Sequence, residues 1–293
     1  MLKDVAQSGR ALAAQSRDTT GLVDALCRCV AECESAVVAF SAGVDSTVVL
    51  KVAALALDGR ALAVTGISPS LAADEAADAE RLALAIGVPL LALPTGELDN
   101  PDYAANAPDR CFHCKTGLYA LCRRVAGERG LRCILNGTNR DDLGDWRPGL
   151  AAAERAGVLS PLLQCGLGKS EVRMVARHLG LPNWDKPALA CLASRLPYGT
   201  AVTAQRLAAV ERVERHLRTL GFREVRARHH GDEVRLEVEP DRVDQLLALA
   251  ADDAGAAGAA LADTVRAAGF TRLSVEREGF RSGRLNAGVP RGS

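Results

Sequence analysis

Residues 36–57 read AVVAFSAGVDSTVVLKVAALAL, and this stretch decides the fold. AVVAF at 36–40 is a short apolar run of the kind that forms a fully buried strand. SAGVDS at 41–46 is small and turn-forming, and TVVLKVAALAL at 47–57 has the length and composition of a helix. The alternation then repeats. ALAVTGI at 61–67 reads as a strand, 72–87 as a helix, PLLALPT at 89–95 as a strand and 114–130 as a helix. RCILNGT at 132–138 is a further strand, with helices at 151–157 and 169–180, and the apolar spacing of 21–30 predicts a helix upstream. Short apolar strands separated by helices imply right-handed βαβ units and a parallel sheet covered on both faces. The expected class is therefore α/β, with a Rossmann-like parallel sheet whose ligands lie at the carboxyl ends of the strands.

Beyond about residue 200 the pattern changes. A helix over 202–221 precedes two short alternating runs, 224–230 and 233–239, joined by Gly231 and Asp232, a hairpin signal. A helix after Pro240 and a strand near 272–275 follow, while 251–263 (ADDAGAAGAALAD) is compatible with helix or loop. The expected organisation is an N-terminal arm at 1–20, an α/β domain at 21–200 and a smaller C-terminal α+β domain at 201–293, for substrate binding or oligomerisation.

Lysine plus arginine and aspartate plus glutamate each count 36, and aromatics make up 3% of the chain. Neither figure favours a nucleic-acid surface, which needs a basic face or stacking platforms. No apolar run is long enough to span a bilayer, and residues 1–18 lack the apolar core of a secretory signal. The expected location is cytoplasmic, with no membrane and no nucleic acid as partner. In a reducing compartment the nine cysteines are metal ligands, catalysts or core filling. Cys27, Cys29, Cys33, Cys122, Cys133 and Cys165 lie in apolar helices and strands and read as core filling.

The turn Ser41, Ala42, Gly43, Val44, Asp45, Ser46 sits between the first strand and its helix, where backbone N–H groups and the positive helix end suit an anion such as pyrophosphate. Gly43 permits close approach and the serine hydroxyls add donors; Asp45 would help to hold Mg²⁺ or pin the loop. The plainer alternative is an ordinary strand-to-helix turn with Ser46 as N-cap. Cys111 and Cys114, in RCFHCK at 110–115, open a helix, and a third thiol, Cys191, lies in KPALACLASR at 186–195. Three thiolates leave one position short of the four that hold a cubane cluster. A zinc site with His113 as a further ligand, or buried thiols, fits the spacing equally well.

FSAGVDS resembles the phosphate-binding loop of the PP-loop ATP pyrophosphatases, which cleave ATP between the α and β phosphates. Ala42 replaces the usual second glycine; if that position needs positive φ, alanine costs about 1 kcal/mol. Together with RCFHCK, NGTNRDDLGDWRPG, the stretch 168–200, VRARHHG and GFRSGRLN, it makes nearly the whole chain after residue 20 similar to the LarE family of PP-loop sulfur transferases. KPALACLASR is the most discriminating segment.

That resemblance implies a small-molecule substrate, pyridinium-3,5-biscarboxylic acid mononucleotide, whose carboxylates are adenylated by ATP with Mg²⁺ and converted to thiocarboxylates. In the family, sulfur comes either from the cysteine matching Cys191, which is sacrificed to dehydroalanine, or from sulfide on a [4Fe-4S] cluster held by three cysteines. The presence of Cys111, Cys114 and Cys191 favours the cluster. The resemblance also places Gly137, Thr138 and Asn139 near ATP or substrate, and gives Ser194, Arg195, Arg226 and Arg228 to substrate phosphate or carboxylate. It further implies a homo-oligomer and a source of sulfide or a sulfur-donor protein. Trp146 and Trp184 read as packing residues, and His229 and His230 as surface. The rival readings are another PP-loop enzyme, a tRNA thiolase or an amide synthetase, and a nucleotide-binding module with a zinc staple.

Overall fold

The computed structural model describes residues 18–144, 148–188, 190–251 and 253–281. The arm expected at 1–20 lies, for residues 1–17, outside the described residues, as do Trp146 and the end of GFRSGRLN. The chain divides into two compact units. One comprises Met1–Ser68, Ala73–Gly96 and Cys111–Leu189; the other comprises Pro69–Ala72, Glu97–Arg110 and Ala190–Ser293.

The first unit is the α/β layer. Its elements run α1 (Thr19–Ala31), β1 (Ala36–Ala39), α2 (Val44–Ala56), β2 (Ala61–Ile67), α3 (Ala73–Ile86) and β3 (Leu90–Pro94). The short α4 (Pro101–Ala104) belongs to the second unit. α5 (Arg110–Arg129), β4 (Cys133–Leu135), α6 (Pro148–Arg155), α7 (Pro161–Gln164) and α8 (Lys169–His178) complete the first. The four strands are parallel in the order β3-β2-β1-β4. β1 alternates its side chains between two cores. Ala36, Val38 and Phe40 join Leu26, Val48 and Leu50 on one face, while Val37 meets Val64, Cys122 and Val125 on the other. Burial on both faces is why these strands read as continuous apolar runs rather than alternating ones.

The strand order has a functional consequence. From β1 the chain winds through β2 to β3 on one side, then returns to place β4 on the other side of β1. The crevice beyond the carboxyl ends of β1 and β4 is thus the topological switch point, where ligands of open α/β sheets bind.

The second unit holds α9 (Ala204–Thr219), β5 (Arg226–His230), β6 (Glu233–Glu237), α10 (Val243–Leu249), α11 (Gly255–Ala267) and β7 (Arg272–Val275). β5 and β6 are antiparallel, and β7 joins β6 in parallel. Gly231, at φ +70°, opens the two-residue turn in the left-handed region that a primed hairpin turn needs. The stretch left open between helix and loop becomes α11. Its Leu261 and Val265, one turn apart, are buried, and Gly258 lies where a Cβ would come within 2.8 Å of the Leu249 carbonyl. His229, expected at the surface, is 8% exposed, its ring edge-on to Phe270 at 5.2 Å. Among the described residues no helix is long and apolar enough to cross a membrane.

Leu50 is completely buried beneath the sheet, on the helix that follows the loop. Leu50→Ala is expected to cost about 2–5 kcal/mol by leaving a cavity, read as a fall in the urea midpoint with unchanged slope.

Candidate functional site

After β1 the chain turns through Ser41, Ala42 and Gly43 into α2. Ala42 is fully buried at φ +57°, so the condition set by its sequence position is met. An L-residue there is strained by roughly 1–2 kcal/mol. The carbonyl of that strained residue is held: Asn183 Nδ2 donates to it at 3.2 Å and Lys186 Nζ at 3.5 Å. The same Asn183 amide donates to Thr47 Oγ1 at 2.9 Å. Lys186 is ion-paired with Asp78 at 2.9 Å and Glu75 at 3.3 Å, both on α3.

Gly43, not Ser46, is the N-cap of α2, and it supplies no side-chain cap. The first N–H groups of a 13-residue helix therefore have no hydroxyl or carboxylate cap of their own and face the switch-point crevice. Ser46 Oγ instead donates to the Gly43 carbonyl at 3.1 Å and accepts from Ser41 N at 3.3 Å, while Thr47 Oγ1 donates to the same carbonyl at 2.8 Å. The turn is thus tied from within.

Across the crevice, Gly137 follows β4. A Cβ on it would lie 2.7 Å from Ser46 N and 2.9 Å from the Asp45 carbonyl carbon. Only glycine lets the two switch-point turns approach so closely. Asn136 donates from Nδ2 to Tyr119 Oη at 3.2 Å and accepts from Thr138 N at 3.0 Å, which shapes this second turn. Asn139 is fully buried; its N–H donates to Asp142 Oδ2 at 3.1 Å.

Asp45 lies in the first turn of α2. Burial pushes its carboxyl above the usual range, and the nearby Asp142 charge adds to the effect. Asn139, Lys169 and Arg173 pull the other way without cancelling it. The Asn139 amide nitrogen has no acceptor in hydrogen-bonding geometry, so its effect on Asp45 is that of a nearby dipole. Two acidic side chains held close in a partly buried crevice are chemically suited to a hard divalent cation such as Mg²⁺. Asp142, Lys169, Arg173, Asn183 and Lys186 all lie in stretches that carried the family resemblance. What singled none of them out is that their roles arise from tertiary approach rather than local spacing.

The nine cysteines are thiols. Cys111 is exposed and Cys114 half-buried, one turn apart at the start of α5; Cys191, in the second unit, is exposed. Cys33 and Cys122 are buried, and burial pushes their thiols up to about 12 and about 11, as core cysteines should behave. Soft sulfur ligands at three positions that are exposed or half-buried have the chemistry of iron–sulfur ligation. Among the described residues no group of three or more His, Cys, Asp or Glu side chains is gathered to hold a metal ion.

Within the second unit, Cys191 is the N-cap of a 3₁₀ turn, Leu192–Arg195. Arg195, only 2% exposed, donates from Nη1 to the Cys191 carbonyl at 3.1 Å and to Ser194 Oγ at 3.0 Å. Its Nε and Nη2 form a two-pronged pair with Glu214 of α9 at 2.6 and 2.9 Å. Burial pushes Glu214 up, but the Arg195 charge and hydrogen bonds outweigh it and hold the carboxyl below the usual range. Arg228 donates to the Ser194 carbonyl at 2.8 Å and pairs with Glu237 at 2.9 Å. Arg226, two residues back on the same strand face, is 3% exposed beneath the Phe280 ring at 4.6 Å. Burial, with Arg195 close by, pushes its guanidinium down to about 10. Ser194, Arg195 and Arg228, separated by up to 34 residues, therefore belong to one ion-paired network at the Cys191 turn, and Arg226 feels the Arg195 charge beside it. Trp184 in the first unit is 39% exposed, with the Arg177 guanidinium 5.2 Å over its ring.

No protein-family model matches the chain. It is 40% identical over 255 residues, 87% of this chain and 93% of the relative, to the uncharacterized protein slr1717 of Synechocystis sp.. It is 34% identical over 250 residues, 85% of this chain and 88% of the relative, to the pyridinium-3,5-bisthiocarboxylic acid mononucleotide synthase of Lactiplantibacillus plantarum. With its parallel sheet and its extent of shared sequence, the chain belongs to the LarE family.

Gly137→Ala is expected to lose about 1–3 kcal/mol of stability by overpacking the crevice. Gly117→Ala, in the interior of α5 with open space around it, should instead gain up to about 1 kcal/mol; thermal unfolding of both variants measures the contrast. Because the folded carboxyl of Asp45 titrates above its ordinary value of 3.8, its stabilising contribution is complete below that value and is lost as pH rises through the raised one. Asp45→Asn should accordingly raise the stability of the nucleotide-free protein at neutral pH, by about 1 kcal/mol, with the gain vanishing in acid. A pH series of urea midpoints reads it.

Proposed function

We propose that the protein is an ATP-dependent sulfur transferase that adenylates the carboxylates of pyridinium-3,5-biscarboxylic acid mononucleotide and converts them to thiocarboxylates. The observation that carries the reading is the helix start at the switch point: N–H groups of α2 without a side-chain cap, braced by Ala42 and approached by Gly137. That is a pyrophosphate seat, because it offers backbone donors and a positive helix end to an anion. Ser41, Ala42, Gly43, Val44, Asp45, Ser46, Gly137 and Asn139 form it, with Asp45 and Asp142 to hold Mg²⁺. The substrate carboxylate attacks the α-phosphorus of ATP, pyrophosphate leaves, and an acyl-adenylate remains. Lys169 and Arg173, already close enough to act on the Asp45 charge, offset the growing negative charge on the departing phosphates.

A sulfur nucleophile then attacks the acyl carbon and AMP departs. Ser194, Arg226 and Arg228 would take the mononucleotide phosphate, the guanidinium charge favouring a dianion and Arg228 exchanging a protein partner for it. Arg195, anchored by Glu214, adds positive charge and keeps the Cys191 turn in place. Cys111, Cys114 and Cys191 would hold a [4Fe-4S] cluster, which supplies an open iron for exogenous sulfide. The exposure of Cys191 also suits the second form of the reaction, in which its own thiolate attacks and loses sulfur by β-elimination, leaving dehydroalanine.

Pyrophosphate release from ATP that depends on the pyridinium dicarboxylate tests the first half; ATP turnover indifferent to that substrate would overturn it. Cys191→Ala is expected to abolish thiocarboxylate formation while pyrophosphate release persists. With the cluster in place Cys111→Ala does the same, and anaerobically purified protein is brown with about four irons per site. Full activity of Cys111→Ala in colourless protein would select the sacrificial form.

A further inference from the structure

Two excursions from the α/β layer belong to the second unit, Pro69–Ala72 after β2 and Glu97–Arg110 after β3. Both grip the segment that bears Cys191. Asn106 is wholly buried at φ +56°, a left-handed conformation that asparagine tolerates better than most residues. Its side-chain amide donates to the carbonyls of Pro197 and Thr200, each at 2.8 Å, and lies 3.5 Å from that of Leu196. Its own carbonyl accepts from Gly199 N at 3.0 Å, and the carbonyl of Ala104 accepts from Val202 N at 2.8 Å. Arg110, 3% exposed, donates from Nη1 both to Asn106 Oδ1 and, at 2.9 Å, to the Ala193 carbonyl. Ser70 accepts from Leu192 N at 2.9 Å, and its hydroxyl pairs with Tyr103 Oη at 2.6 Å.

The residues from Leu192 to Thr200 have little regular structure of their own: one 3₁₀ turn at Leu192–Arg195, then irregular chain. Asn106 donates to the carbonyls of Pro197 and Thr200 and Arg110 to that of Ala193, while Arg228 takes that of Ser194. Buried carbonyls without partners are costly, so a single amide serving two of them, and a guanidinium serving another, define the path of the chain.

We infer that Asn106 and Arg110 are positioning residues for sulfur delivery: they hold the Cys191 turn in its reactive geometry through carbonyls other than those that Arg195 holds, without touching substrate. The inference rests on the sulfur-transferase reading. It separates the two half-reactions, because the pyrophosphate seat belongs to the first unit and neither Asn106 nor Arg110 contributes to it. Displacement of a nucleophile by about 1 Å can cost on the order of a hundredfold in rate, so the effect falls on thiocarboxylate formation rather than adenylation.

Asn106→Asp keeps the left-handed backbone but replaces the amide donor with an acceptor facing two carbonyls; Arg110→Lys keeps the charge but loses the forked reach. Each is compared with wild type in three measurements: substrate-dependent pyrophosphate release, thiocarboxylate yield, and tryptic cleavage after Arg195 in the native protein. Buried Arg195 is expected to resist trypsin in wild type and to be cut at least about tenfold faster in either variant, since cleavage tracks local opening. Thiocarboxylate yield should fall by about a hundredfold while pyrophosphate release stays within about twofold of wild type. Wild-type yield and protection in a folded variant would overturn the inference, as would equal losses in both half-reactions. If either variant fails to fold, the other decides. Absence of substrate-dependent pyrophosphate release from wild type would instead remove the sulfur-transferase reading, and the proteolysis contrast would still judge the brace.

Discussion

The structure of the first unit depends on one strained residue. Ala42 must take a left-handed conformation so that the chain leaving β1 can turn sharply enough for α2 to start over the switch-point crevice. The cost, roughly 1–2 kcal/mol, is offset by groups that arrive from elsewhere in the chain: Asn183 and Lys186 on its carbonyl, and the buried β1–α2 core around it. Strain at such a place is tolerated because the surroundings over-determine it. It leaves the first N–H groups of α2 without a side-chain cap at the point where an anion would sit.

Charge is arranged around that point with the same economy. Burial and the Asp142 charge raise the cost of ionising Asp45, a condition that a divalent cation would relieve, while Lys169 and Arg173 of α8 act the other way. The second unit solves a different problem. Three of its arginines are held by protein, two of them buried: Arg195 by Glu214, Arg226 by a ring face and Arg228 by Glu237. Buried guanidinium groups with fixed partners hold their geometry, and Arg195 thereby fixes the turn that bears Cys191.

The two units differ in how they secure irregular backbone. Around Ala42 the restraints are a handful of hydrogen bonds onto one carbonyl. Around Cys191 they are distributed over Asn106, Arg110, Ser70 and Arg195, drawn from three separated stretches of chain.

Much of this was legible without coordinates. The apolar runs at 36–40 and 61–67, the small-residue turn at 41–46 and the hairpin at Gly231 each follow from local rules, since periodicity and φ preference act over a few residues. The strand Arg272–Val275 appears where the pattern placed it. What the local pattern left open was decided by packing over distance. The alanine-glycine stretch became α11 because Leu261 and Val265 found a core, and His229 went inside against Phe270. Ser46 gave up the N-cap to Gly43 because its hydroxyl was needed to tie the turn. The partners of Ala42, the closeness of Gly137 to Ser46, and the grip of Asn106 and Arg110 on the Cys191 turn were beyond any reading of spacing. Each is a contact between stretches tens of residues apart, and only the folded chain brings such groups within hydrogen-bonding reach.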